Sequence, residues 1–396
     1  MGSLLSGQKI QVVLNGMMFY NIILTLMFAG VIPSIIASFL QIPICLYLLK
    51  FVNLSGSLGK LSIINKLLFT ILCIWVFIIV LRFDFSIENS LRVLVRNQAL
   101  LSYMLILIVP QFAKAQNIDF ILHYLYKLNK LYLIMLVPLI PLAISLFRNG
   151  EIVEGQTIFE AVHTYVGGGL LFLIIFSYKF EKVKIIHLTA LLNFILAAYF
   201  GRRGILLLYI ATYIIWLIVQ MTRQKLSKRL YILFIFSVII LALVWVTLKY
   251  GEELFPFLFG RLTDDTRSFT EEELLYDLER SHDTTFGRGI MGGYMSIIET
   301  NSLAQMRSGI ETGYLDMMLH GGIVFVILYA VFAIIGIIKG LFNKFIYVKY
   351  LALYCILLSA YFQTASSNMS FSIRYFLFIF ALFVCYDRNI KNQLEN

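Results

Sequence analysis

The stretch AAYFGRRGILLLYI (residues 197–210) sets Arg202 and Arg203 side by side between two long apolar runs. An arginine at the centre of a bilayer costs about 2.5–3.5 kcal/mol on insertion scales, so such a pair belongs at a membrane edge or against something anionic. Each flanking run is long enough to cross a bilayer, and reading them as two spans joined by a polar corner sets the class of the whole chain. The composition agrees: 60% of the 396 residues are hydrophobic and 14% charged, which excludes a soluble domain of this length.

Residues 1–396 therefore read as one integral domain of an all-α polytopic membrane protein. About 20 mainly apolar residues make a span, and candidates fall near 11–30, 33–52, 61–82, 91–112, 130–147, 161–179, 184–201, 204–222, 229–249, 313–338, 345–364 and 369–386, about twelve in all. With both termini cytoplasmic, the inside loops collect the lysines, including Lys50, Lys60, Lys114, Lys127, Lys182, Lys225 and Lys344, while Glu151, Glu154 and Glu160 fall outside. That alternation follows the positive-inside rule and orients the chain. It also accounts for the net charge of +10 without nucleic acid. Cys45, Cys73, Cys355 and Cys385 lie in apolar stretches with no CxxC pair, and read as small buried hydrophobes. The first apolar run leads straight into a second, so insertion by the first span is expected in place of a cleaved leader.

The arginines sort differently from the lysines. Arg82, Arg92, Arg96, Arg148, Arg202, Arg203, Arg261, Arg267, Arg280, Arg288, Arg307 and Arg374 fall on the outer side, where Lys249 is the one lysine. Topology needs a cation and is indifferent to which, whereas phosphate recognition favours the planar guanidinium fork. As a set they point to an anionic ligand outside; singly, each also reads as a snorkelling or carboxylate-paired side chain.

One loop, residues 250–312, is long enough to be a site in itself. Within it, Thr270 and Glu273 have capping-box spacing, and Leu274, Leu275 and Leu278 share a helical face, predicting a short amphipathic helix near 270–281 with Arg280 in its last turn. Gly287, Gly289, Gly292 and Gly293 then punctuate a turn around Arg288 that suits backbone approach to a ligand but matches no nucleotide-binding fingerprint. Glu311 and Asp316 lead into the next span, with His320 a turn deeper. Glu311 also reads as a residue complementing the helix dipole, and His320 as a packing residue. His163 and Gly167–Gly169 read as close helix packing.

The FGRRGILLL (200–208) and FGRGIMGGY to ETGYLDMMLHGGIVF (286–325) patches, set in this architecture, resemble the bacterial polysaccharide polymerases and O-antigen ligases of the Wzy/WaaL type. The resemblance implies a GT-C-like fold of about twelve transmembrane helices with one large extracytoplasmic loop. It places the chain in the bacterial cytoplasmic membrane with its active site facing outward. The implied activity is metal-independent glycosyl transfer: polyprenyl diphosphate-linked oligosaccharide repeat units are joined into polysaccharide, donor and acceptor both being lipid-linked. No cofactor and no metal is called for; Asp264 and Asp265 read as solvated surface.

In that family an arginine of an S-R-G-like motif and arginines of the large loop hold the donor diphosphate. Arg203 matches the first; for the second Arg280 comes first, with Arg267, Arg261 and Arg288 behind it, and Arg202 beside Arg203. Ligases carry a histidine ahead of the span after the loop, where this chain has Glu311, and this departure points to the polymerase branch. Glu311 is then the expected general base, with Asp316 or His282 as substitutes and Tyr314 in the substrate-binding set. A chain-length regulator and a flippase are the partners such an enzyme implies, beside membrane lipids. The competing readings are a ligase passing glycan to another acceptor and a flippase or transporter of lipid-linked sugars.

Overall fold

A computed structural model describes residues 2–53, 58–59, 61–82, 93, 97–225, 227–229, 249–250, 260, 267–296, 305–362 and 369–387. It is a helical bundle. In chain order the helices are α1 (Gly2–Phe28), α2 (Ser34–Leu49), α3 (Ile63–Leu81), α4 (Asn97–Ile108), α5 (Asn117–Arg148), α6 (Ile152–Ala161), α7 (Leu170–Ile175), α8 (Val183–Tyr199), α9 (Arg203–Arg223), α10 (Arg267–Arg280), α11 (Gly313–Leu341), α12 (Ile346–Ala360) and α13 (Ile373–Tyr386). Strands β1 (Tyr294–Ser296) and β2 (Gln305–Arg307) pair antiparallel, with Tyr294 opposite Arg307.

Among the described residues six helical runs are long and apolar enough to cross a membrane: Gly7–Phe28, Ile63–Leu81, Asn117–Arg148, Ile152–Ile175, Arg203–Arg223 and Gly313–Leu341. Shorter apolar helices, α2, α8, α12 and α13 among them, lie at other expected spans. The expected span near 229–249 lies almost wholly outside the described residues. At 32 residues α5 is longer than the span near 130–147; it measures about 48 Å, so Asp119, Lys127 and Lys130 ride on its first turns.

Burial sorts these helices into a centre and a rim. Every residue of α13 is buried, and so are all but Glu160 and Tyr165 of residues 158–175. The rim helices instead expose apolar stripes: Ile63, Ile64, Leu67, Ile74 and Ile78 on α3, Ile134 and Val137 on α5. Such stripes have no reason to face water and are the natural lipid-facing surface. Pro43, Pro138 and Pro141 sit inside helices, as membrane helices tolerate.

The central run is not a plain helix. It widens to a π-turn over Val162–Val166 and tightens to a 3-10 turn over Gly167–Gly169 before α7. The three glycines are where neighbours come closest: a Cβ at Gly167 would stand 2.7 Å from the Tyr132 ring, at Gly168 3.1 Å from the Arg374 amide, and at Gly169 2.6 Å from Leu125. Small residues bring helices together by packing where hydrophobic force is absent. The four cysteines are buried and free.

Candidate functional site

The Arg202–Arg203 corner is built by the backbone. Helix α8 ends at Tyr199, Gly201 takes φ 66°, and the amides of Gly201 and Arg202 return to the carbonyls of Ala198 (3.1 Å) and Ala197 (2.8 Å). This is a Schellman stop, which favours glycine at the left-handed position. Arg202 then caps α9 and Arg203 is its first residue, so the two arginines fall at a helix-to-helix corner. Both are half-buried. Arg202 Nε lies 3.3 Å from Glu160 Oε1, without the N–H pointing along that line. Arg202 is therefore already held by a carboxylate of α6.

The glycine turn is docked on the bundle at two places. Arg82, just past α3, donates to the carbonyls of Phe286 (3.0 Å) and Gly287, and the Ile290 amide bonds Ile79 O at 3.0 Å. On the other side the amides of Arg288 and Gly289 bond the carbonyls of Leu319 (2.8 Å) and His320 (2.9 Å), and Ile323 N bonds Thr284 O at 2.9 Å. These carbonyls are free because α11 breaks: Gly322 adopts φ 70° and ψ 177° in mid-helix. Trp75 Nε1 takes the Gly321 carbonyl at 2.8 Å and its ring stacks on Phe286. The expected span near 313–338 is present as α11, with a break at Gly322 that the turn fills. The backbone groups released at the break find partners, as burial requires.

Arg288 spends all its donors inside the turn. Nε bonds Asp283 Oδ2 at 2.9 Å, Nη1 bonds Asp277 Oδ2 and Gly293 O, and Nη2 bonds Asp277 O (3.0 Å) and Ser281 Oγ (2.7 Å). Burial alone would lower its pKa, but the Asp277 and Asp283 carboxylates outweigh this and raise it. Arg288, expected in the substrate-binding set, here has five internal acceptors for its five N–H groups, so it clamps the turn to α10.

Helix α10 spans Arg267–Arg280 against the expected 270–281, so Thr270 lies inside it. Leu274 and Leu278 pack with Tyr294 and Leu319, joining α10, the hairpin and α11 in a small core of their own; Leu275 is exposed. His282 ends the helix at φ 60°, with Asp283 N on Leu278 O at 3.0 Å, a second Schellman stop made without glycine. His282 and Arg280 are both exposed there. Arg261 and the side chain of Arg267 lie outside the described residues.

At the head of α11 Glu311 is exposed and Tyr314 donates to Ser359 O at 2.9 Å, tying α11 to α12. Asp316 is half-buried, and its Oδ1 accepts from the Ile310 amide at 3.4 Å. One turn on, His320 is buried beside the Tyr103 ring. Its Nδ1 lies 2.8 Å from the Asp316 carbonyl and 3.9 Å from Asp316 Oδ1. That bond puts the proton of the neutral ring on Nδ1 and leaves Nε2 as a base. The structure thus gathers Asp316, His320 and the turn at one seam, and places Arg202 in a separate pair with Glu160. Arg82, Asp283, Tyr103 and Gly322 contribute to the seam without having been singled out as site residues. Only Arg82 carried a signal, as a cation directly after an apolar span.

No family model, no curated protein and no solved structure matches this chain.

Proposed function

We propose that the chain is a membrane glycosyltransferase of the polysaccharide polymerase kind, with about twelve spans and the segment 250–312 on the extracytoplasmic side of a bacterial cytoplasmic membrane. One observation carries the reading: the turn 283–293 is wedged between the end of α3 and the break in α11, so a seam between loop and bundle holds a carboxylate and a histidine. In the proposed reaction a carboxylate, Glu311 with Asp316 as its substitute, takes the proton of an acceptor sugar hydroxyl. The hydroxyl oxygen attacks the anomeric carbon of the donor, and the bond to polyprenyl diphosphate breaks with its electron pair leaving on that group. Guanidinium groups, Arg203 and Arg280 foremost, stabilise the charge as it develops.

The test is reconstitution. Purified protein in vesicles without any ion gradient, given polyprenyl diphosphate-linked repeat units, is expected to yield a ladder of longer lipid-linked glycans. Intact binding with no lengthening sinks the proposal.

A carrier of lipid-linked sugars is the second reading, favoured by the break at Gly322, since broken helices line substrate sites in transporters. It predicts movement of the unit across the vesicle membrane with its length unchanged.

A further inference from the structure

Among the described residues Arg374 is the one arginine or lysine in the fully buried class, with 2% of its surface accessible. It stands in the first turn of α13, at the centre of the bundle, and makes no ion pair with any described carboxylate. Its Nη2 lies 3.4 Å from His163 Nδ1, while Nε and Nη1 are buried with no hydrogen-bond partner among the described residues. His163 Nε2 in turn lies 3.1 Å from the Tyr209 hydroxyl. A guanidinium can only donate, so Nδ1 of His163 must hold a lone pair and its proton sits on Nε2, given to Tyr209. The histidine is therefore neutral and offsets none of the arginine's charge. The Tyr354 hydroxyl faces the Arg374 backbone carbonyl at 3.4 Å, and that of Tyr132 is given to Asn193.

The groups left open on Arg374 and Tyr209 can all donate. Arg374 Nε and Nη1 have N–H groups to give, and Tyr209, having accepted from His163, has its own O–H to give. Donors around a cation that has no ion-pair partner among the described residues suit an anion with several acceptor oxygens, which a phosphate-type group supplies and a halide does not. The bundle has the local means to admit one: His163 is carried by the π-turn Val162–Val166, a helix defect that recurs at functional sites.

We infer that Arg374, His163 and Tyr209 form a buried binding site for a phosphate or diphosphate group. Glu160, which holds Arg202, lies three residues before His163 on the same run, and Arg203 opens the helix that carries Tyr209 six residues later. The site therefore lies about one to two helical turns inward of the arginine corner. It does not rest on glycosyl transfer, because binding is required whatever follows it.

The test uses the full-length protein in detergent. Thermal unfolding is followed while sodium phosphate, sodium pyrophosphate or farnesyl diphosphate is titrated in, with ionic strength held constant by sodium chloride. The wild type is expected to show a saturable rise in its midpoint, with apparent affinity weakened about tenfold or more in Arg374→Met and also weakened in Tyr209→Phe. A response to phosphate or pyrophosphate assigns the site to the free anion; a response confined to farnesyl diphosphate assigns it to a lipid-borne group. Should Arg374→Met fail to fold, Tyr209→Phe and His163→Gln decide, being close in volume to the residues they replace. The inference is overturned if the wild type responds to none of the three probes, or if the variants respond as it does.

Discussion

Arg82 and Gly287 are 205 residues apart in the chain, yet the guanidinium of the first donates to the carbonyl of the second. The same guanidinium reaches Phe286 O, and its Nη2 is 3.5 Å from Asp283, so the end of α3 grips the turn that fills the break in α11. Loop and bundle are one body here because main-chain groups, not only side chains, cross between them.

The break gives the sharpest stability prediction. Gly322 and Gly30 have nearly the same φ, 70° and 69°, but a Cβ at Gly322 runs into the Thr285 carbonyl whereas nothing stands within 4 Å at Gly30. Gly30→Ala should cost only the left-handed strain, about 1–2 kcal/mol. Gly322→Ala meets a backbone collision and, at ψ 177°, a conformation that essentially only glycine adopts, and should cost about 3 kcal/mol or more. Thermal unfolding of the two variants in detergent measures the difference; equal losses would show that the turn does not occupy the break.

Arg288→Met removes a cation shared by two carboxylates. The side chains are 17–25% exposed, so solvent screening reduces the penalty of the stranded charges from that of a fully buried pair to about 1–3 kcal/mol. The turn 281–293 should become a site of limited proteolysis. The raised pKa of Arg288 fixes the pH behaviour: stability from it is present below its unfolded value and is lost only as pH rises through the still higher folded value. No alkaline loosening from this clamp is expected between about pH 7 and 10, and a falling midpoint that Arg288→Met abolishes would refute the assignment.

His282 occupies a left-handed helix stop that glycine fills at lower cost. His282→Gly should raise stability by about 1 kcal/mol, read as a higher midpoint of thermal unfolding. A drop instead would mean that the imidazole makes a contact worth more than the strain.

For the proposed reaction, Glu311→Gln should lower polymer yield by about 10²–10⁴-fold if it removes the base. Full yield there together with loss in Asp316→Asn moves the role to the half-buried carboxylate at the seam. Glycan ladders from a deletion host complemented with each variant separate the outcomes.

Arg203→Ala and Arg280→Lys probe the diphosphate clamp in the same assay. Each should reduce yield by about tenfold or more, since a lysine offers one point charge where a guanidinium offers a fork. Unchanged yield and length in both would sink that role, and Arg202→Ala reports in parallel on the Glu160 pair.

The sequence by itself determined whatever depends on near neighbours. Long apolar runs require helices, because in lipid the backbone must satisfy itself; Gly201 between two such runs gives the corner at Arg202 and Arg203, and the leucine spacing of 274–278 gives α10. Tertiary structure decided what depends on partners far along the chain. The run 313–338 reads as one unbroken span until the amides of Arg288 and Gly289 arrive to take the carbonyls that Gly322 releases. Arg288 looks free to meet a ligand until Asp277 and Asp283 fold against it, and Arg374 looks like one more outer arginine until α13 is placed at the centre. A hydrogen-bonding group has the same capacity wherever it stands, but which partner it meets is set by packing across the bundle, and no local pattern of residues encodes that.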